Sequence, residues 1–307
     1  EARETSALSG GQKQRVTIAG VLAMEPQIIV FDEASAMLDP RGRAGLLRAC
    51  RELNGSGLTI VYITHFMEEA VEADRVVVLD RGRVTLSGTP AEVLTQVDRL
   101  KELHLDIPFA ARMSDALRKL NVPVALHVSE SDLAQELRAL LPASGEPAER
   151  PSLRGGATPK ADVVSKTDAA SGFAHDGETN PVVQLESVSF TYDPAPQRKR
   201  RKGASPTESE PAKWGNDPNE SWALRDVTLA VNRGEFLGIA GHTGSGKSTL
   251  VQHLNGLLHP TEGEVLVDGV SLAGKKKEAG LARRKVGMVF QYPEQQLFEE
   301  TVEADIA

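Results

Sequence analysis

The chain has 307 residues, a formal charge of −8, 40% hydrophobic, 25% charged and 4% aromatic residues. That supplies apolar material for one large globular body or two modest ones, and no apolar run reaches the roughly 18 residues a membrane-spanning helix needs. The acidic balance argues against general nucleic-acid binding, and a single cysteine, Cys50, excludes an internal disulfide and suits a reducing compartment.

In chain order, Leu8, Ser9, Gly10, Gly11 and Gln12 open a helix whose first turn offers the Ser9 hydroxyl and two glycine amides to an anion. Apolar, β-branched runs follow at 28–31, 59–63, 75–79 and 84–86, with a helix near 42–54 and a turn at Asp80, Arg81 and Gly82. Such runs, separated by helices, predict a parallel sheet covered on both faces. Residues 90–143 read as a small helical appendage with helices at 110–120 and 131–141, capped by Ser129 or Ser131. Residues 144–181 are rich in Ala, Gly, Ser, Pro and charge, with Phe173 their one aromatic residue, and are predicted to be a disordered linker.

A second α/β pattern occupies 182–307. It has strands at 182–192, 224–231, 235–240, 264–267 and 285–290, and a helix at 246–257. A polar, flexible insertion is expected at 193–221; its basic run, Arg198 to Lys202, reads as a solvated loop. The two α/β patterns do not repeat each other. The sequence starts on Glu1, runs straight into a motif, and stops at Ala307 in what reads as the first turn of a helix, so a fragment of a longer chain is expected.

The most specific signal is Gly241, four residues, then Gly246, Lys247 and Ser248, placed after an apolar strand and before a helix. Glycines there turn backbone amides toward phosphate oxygens, Lys247 reaches the β and γ phosphates, and Ser248 ligates magnesium. Thr243, Gly244, Ser245 and Thr249 complete the nucleotide-binding turn. Asp32 and Glu33 end an apolar strand, where bare carboxylates are costly unless they meet a metal or a partner. In that position Asp32 orients magnesium and Glu33 polarises the attacking water. His65 follows the next strand and joins them as a catalytic candidate.

Together these stretches resemble the ATPase domains of ABC transporters. Residues 8–15 look like the ABC signature, and residues 32–39 look like the Walker B and D-loop segment ending in Asp39. His65 matches the switch histidine, Gln291 the Q-loop glutamine that also serves magnesium, and Tyr192 the aromatic residue that stacks on adenine. Finer likeness, in residues 20–24, 254–257 and 290–301, points to the paired ATPases of energy-coupling factor (ECF) transporters.

The resemblance implies ATP and Mg2+ as ligands and uptake of a vitamin or metal ion. It further implies a transmembrane coupling protein, a substrate-binding membrane component and a complementary ATPase domain as partners, with no nucleic acid. The protein would sit peripherally on the cytoplasmic face of the cell membrane. A non-transport ABC protein acting on the ribosome or nucleic acid is the alternative, and a module that binds nucleotide without hydrolysing it is a third.

Motif order departs from the family, because the signature precedes the phosphate loop. Residues 1–89 then read as the rear of a first ATPase domain, with 90–143 its C-terminal appendage, and 182–307 as the front of a second, both partial. Ala34 and Ser35 replace the usual Pro-Thr. On this reading Lys247, Ser248 and Gln291 face Ser9, Gly10, Gly11 and Asp39 in one ATP sandwich. Asp32, Glu33 and His65 then serve another, with a phosphate loop from elsewhere. The other arrangement, residues 182–307 paired with 1–90 as one pseudo-domain, lacks most of the helical segment between Q-loop and signature and is disfavoured for function.

Overall fold

A computed structural model describes residues 4–141, 180–192, 222–272, 276–292, 296, 297, 299 and 301–306. The predicted linker, apart from Asn180 and Pro181, and the insertion with its basic run lie outside the described residues.

After a short 3-10 turn at Thr5–Ala7 come α1 (Gly10–Ala23), β1 (Ile28–Asp32), α2 (Pro40–Gly55), β2 (Thr59–Ile63), α3 (Met67–Ala70), β3 (Arg75–Asp80) and β4 (Arg83–Gly88). Four helices follow: α4 (Pro90–Leu94), α5 (Val97–Glu102), α6 (Phe109–Lys119) and α7 (Glu130–Leu140). The second stretch contributes β5 (Pro181–Phe190), β6 (Leu224–Asn232), β7 (Phe236–Ala240), α8 (Lys247–Leu254), β8 (Glu262–Val267), β9 (Val270–Ser271), α9 (Lys276–Lys285), β10 (Val286–Val289) and α10 (Val302–Ile306).

Local chemistry sets several boundaries. Asp39 accepts a hydrogen bond from Gly42 N at 2.7 Å and Pro40 takes the first helical position, so α2 starts ahead of the expected 42. Thr89 and Glu92 exchange side-chain and backbone hydrogen bonds, a capping box that starts α4. Ser129 stands at the N-cap position of α7 without a side-chain cap bond, and Ser131 lies inside the helix.

The strands form a six-stranded sheet in the order β10-β1-β2-β7-β3-β4 and a four-stranded antiparallel sheet in the order β6-β5-β8-β9. In the larger sheet β10, β1, β2, β7 and β3 are parallel, and β4 runs antiparallel at the edge. Both stretches contribute to it. β2 and β3 are consecutive strands of the first stretch, yet they are not neighbours: β7 of the second stretch lies between them and pairs with both. The structure therefore takes the disfavoured arrangement, with the two stretches in one sheet.

Strand alternation splits the core in two. Ile28, Val30, Val61, Ile63, Leu237 and Ile239 face the four-stranded sheet and α8, whereas Ile29, Phe31, Ile60, Tyr62 and Phe236 face α2 and the helices after β4. Every position of β1, β2 and β7 is buried, which is why they read as unbroken apolar runs. Polar contacts across the join add to this packing. Asn54 Nδ2 donates to Gly234 O at 2.7 Å, Phe236 N to Asp74 Oδ2 at 2.8 Å, and Gln27 N to Lys285 O at 2.9 Å. No helix of the described residues is long and apolar enough to cross a membrane.

Candidate functional site

Because β1, β2, β7 and β3 run parallel, their C-terminal ends open onto the same edge of the sheet, and ligands of such sheets bind at that edge. From β1 come Asp32 and Glu33, from β2 Thr64 and His65, and from β7 the loop from Gly241 to Gly246 that leads into α8.

Glycine is required in that loop. Gly246 has φ +103 and Gly244 φ +82, and a Cβ on Gly241 would lie 2.6 Å from Leu79 O. Ser245 is fully buried within the turn, while Ser248 and Thr249 follow on the first turn of α8. Lys247, only 5% exposed, folds back so that its ammonium donates to Gly241 O at 2.8 Å and His242 O at 3.1 Å. A buried ammonium seated on two carbonyls has donors ready for phosphate oxygens.

The acids of the first stretch meet this loop. Ser248 Oγ donates to Asp32 Oδ1 at 3.3 Å, and Lys247 Nζ lies 3.4 Å from Glu33 Oε1. The sequence reading gave Asp32 and Glu33 a loop from elsewhere; in this structure β2 alone separates β7 from β1, and the two acids lie against the chain's own phosphate loop. Burial raises the Asp32 carboxyl above its ordinary range, and Glu33 adds to the rise; the Ser248 hydrogen bond and Lys247 oppose it. A desolvated carboxylate beside a hydroxyl is an all-oxygen donor pair of the kind Mg2+ prefers, so the residues fit that ion. Among the described residues no group of three or more His, Cys, Asp or Glu offers a metal site built from those residue types alone.

Glu33 is a non-glycine residue at φ +50, strain that turns its side chain from the strand toward Lys247 and His65. His65 Nδ1 stands 3.7 Å from Glu33 Oε2; the ring is half exposed and packs on Phe66, with centroids 4.1 Å apart. Tyr192 is 64% exposed, edge-on to Phe190, and its hydroxyl pairs with Thr249 Oγ1 at 3.0 Å, which ties the aromatic residue to α8.

Other predicted residues sit apart from this cluster. Ser9 and Gly10 are exposed at the start of α1, and Gly11 packs beside Leu38. Gln12 Oε1 accepts from Ser9 N at 2.9 Å, so it caps the helix. Asp39 caps α2. Gln291 lies in the bend after β10, and Gln296 clamps that bend by accepting from Phe290 N at 2.9 Å and donating to Met288 O at 2.7 Å.

Sequence reading missed three features. His242 Nε2 lies 2.9 Å from Asp80 Oδ1, joining the phosphate loop to the β3–β4 turn. Gln296 is the second. The third is Glu69, a carboxylate 4% exposed that receives hydroxyl hydrogen bonds from Ser35 at 2.8 Å and Thr64 at 2.5 Å. Nothing in the sequence separates it from its exposed neighbour Glu68.

The family model for ABC transporters matches residues 1–36 and 224–305, the stretches that hold the signature, the acids, the phosphate loop and Gln291. The matched segments are similar to ABC transporter sequence. An energy-coupling factor transporter ATP-binding protein EcfA1 from Symbiobacterium thermophilum is 57% identical over 123 residues, 40% of this chain and 43% of that protein. A putative ABC transporter ATP-binding protein from Caldanaerobacter subterraneus is 32% identical over 311 residues, covering all of this chain but 47% of the relative. Another from Bifidobacterium longum is 32% identical over 316 residues, 98% of this chain and 33% of the relative. The chain thus spans less than half the length of these relatives.

Proposed function

We propose that this chain is an ATP-binding and ATP-hydrolysing segment of an energy-coupling factor type ABC transporter, taken from a linked pair of ATPase domains that powers uptake of a vitamin or metal ion. The observation that carries the ATPase reading is the meeting of Lys247 and Ser248 with Asp32 and Glu33 at one sheet edge. End-to-end similarity to a relative about twice as long supports the linked pair, since that alignment runs through signature, linker and phosphate loop in this order. The name of the Symbiobacterium relative supports the transporter type.

On this reading the glycine-rich turn and the start of α8 cradle the phosphates, and Lys247 moves its hydrogen bonds from Gly241 O and His242 O to phosphate oxygens. Ser248 and Asp32 would hold Mg2+, which would offset phosphate charge. Departure of Lys247 frees Glu33 to accept a hydrogen bond from the attacking water, with His65 beside it. Tyr192 stacks on the adenine. Ser9, Gly10, Gly11, Gln12 and Asp39 face the nucleotide of a complementary ATPase domain, and Gln291 lies on the surface toward a transmembrane coupling protein, to which a substrate-binding membrane component is joined. The assembly places this chain peripherally at the cytoplasmic face of the membrane.

Binding of a fluorescent ATP analogue tests the proposal. Lys247→Ala is expected to abolish binding; Asp32→Asn is expected to retain magnesium-free binding and lose the gain that Mg2+ gives. Normal ATP binding by Lys247→Ala would remove the phosphate-loop assignment. An undiminished Mg2+ gain in Asp32→Asn would mean that the acids serve a different loop.

A further inference from the structure

We propose that Glu69 is a positioning residue that holds the Glu33–His65 pair together from below; this rests on the ATPase reading of that pair. Glu33 and His65 leave adjacent parallel strands through separate turns, and their side chains approach no closer than the 3.7 Å between His65 Nδ1 and Glu33 Oε2, beyond hydrogen-bond length. Backbone pairing aligns the two strands as far as Glu33, and a further tie fixes the turns that follow.

Beneath them lies a continuous buried bridge. Ser35, two residues after Glu33 and 1% exposed, donates its hydroxyl proton to Glu69 Oε2 at 2.8 Å. Thr64, immediately before His65 and 1% exposed, donates to the same oxygen at 2.5 Å, and its Oγ1 accepts from Phe66 N at 2.9 Å. One carboxylate oxygen therefore joins the turn after β1 to the turn after β2. The first turn also docks directly on the second strand, through Glu33 N to Ile63 O at 3.2 Å, and Ala36 N closes it on Glu33 O at 3.0 Å.

Glu69 is met by hydroxyl donors rather than by a cation among the described residues. Its Oε1 is buried, and the Tyr62 hydroxyl lies beside Glu69 and Ser35. A buried carboxylate held this way is expensive as a purely structural element, and an apolar residue would fill the space more stably. What an apolar residue would not provide is a two-sided hydrogen-bond acceptor that fixes both hydroxyls, and hence both turns. The replacement of Thr by Ser at position 35, noted against the family pattern, keeps the hydroxyl the bridge uses.

The test uses NMR of the 307-residue chain with 13C-labelled histidine, the His65 ring signal being assigned with His65→Gln. In the wild type, Glu33→Gln is expected to shift the His65 ring signal. In a Glu69→Gln background the same change is expected to shift it by less than about half as much, while affinity for a fluorescent ATP analogue stays within about twofold. Glu68→Gln, the exposed neighbour, is the control and leaves the shift intact. Ser35→Ala removes one arm of the bridge and is expected to reduce the shift as well, which keeps the test decisive if Glu69→Gln does not fold. A full His65 response in both Glu69→Gln and Ser35→Ala overturns the inference, as does a wild type without any response. Loss of ATP binding in Lys247→Ala is read separately and judges the ATPase reading alone.

Discussion

Arg75 and Glu235 stand 160 residues apart in the chain, one in each stretch, and Arg75 Nε donates to Glu235 Oε1 at 2.6 Å. Their side chains are 14% and 9% exposed. Arg75 also donates to Ala230 O, and Glu235 Oε2 accepts from Asn232 N at 2.7 Å, so each partner is held by a second contact. Opposite charges about 4 Å apart attract by about 4 kcal/mol at an effective dielectric of about 20. Desolvation of both groups takes back part of this, leaving a coupling of about 1.5–3 kcal/mol, in the range of hydrogen bonds to charged groups. Arg75→Met, Glu235→Gln and the double variant, compared with wild type by urea unfolding followed by circular dichroism, measure that coupling. Arg75→Met alone is expected to lose about 2–4 kcal/mol, because it strands a largely buried carboxylate. A coupling below about 0.5 kcal/mol would refute the reasoning: residues in different bodies give additive effects, and the shared sheet would then be wrong.

Two further expectations concern buried groups. His253 is fully buried on α8, its Nδ1 pairs with Thr249 O at 2.7 Å, Nε2 has no partner, and burial pulls its pKa below the ordinary 6.5. As pH falls through 6.5 the unfolded chain takes up a proton that the folded ring refuses, so stability drops on the acid side and is unaffected above it. His253→Gln is expected to flatten that part of the stability profile in urea titrations between pH 5 and 8, an order-of-magnitude window set by histidine chemistry; equal slopes would sink the idea. Cys50 is fully buried, and burial first, then the charge of Glu69, pushes its thiol up to about 12. Folded chain at pH near 8 should resist iodoacetamide and react fully in denaturant, about the behaviour of an inert structural thiol; alkylation at a free-thiol rate would show that the α2–β2 packing is open.

Much of the local structure was legible. The runs at 28–31 and 59–63 became β1 and β2, and the glycine spacing from Gly241 to Gly246 became a turn with two left-handed glycines. These features are local, since continuous burial demands continuous apolar sequence and positive φ demands glycine. Helix ends were read less well: α8 stops at Leu254, short of the expected 257, and α2 starts at Pro40, ahead of the expected 42. Short elements such as α3 and β9 carry too few residues to show a period, and they were missed.

By itself the sequence determined the chemistry on offer: a lysine and a serine after a glycine turn, an acid pair after a buried strand, a histidine after the next. It did not determine which of these meet. Strand partners are chosen by edges, and β2 and β3 leave between them a gap the width of one strand, with unpaired amides and carbonyls on both sides that β7 satisfies. That choice brings Ser248 to Asp32 and Lys247 to Glu33 across 216 residues in the first case, and it buries Glu69 where two hydroxyls converge. Backbone hydrogen bonding across a sheet is blind to chain distance, so only the tertiary structure decides it.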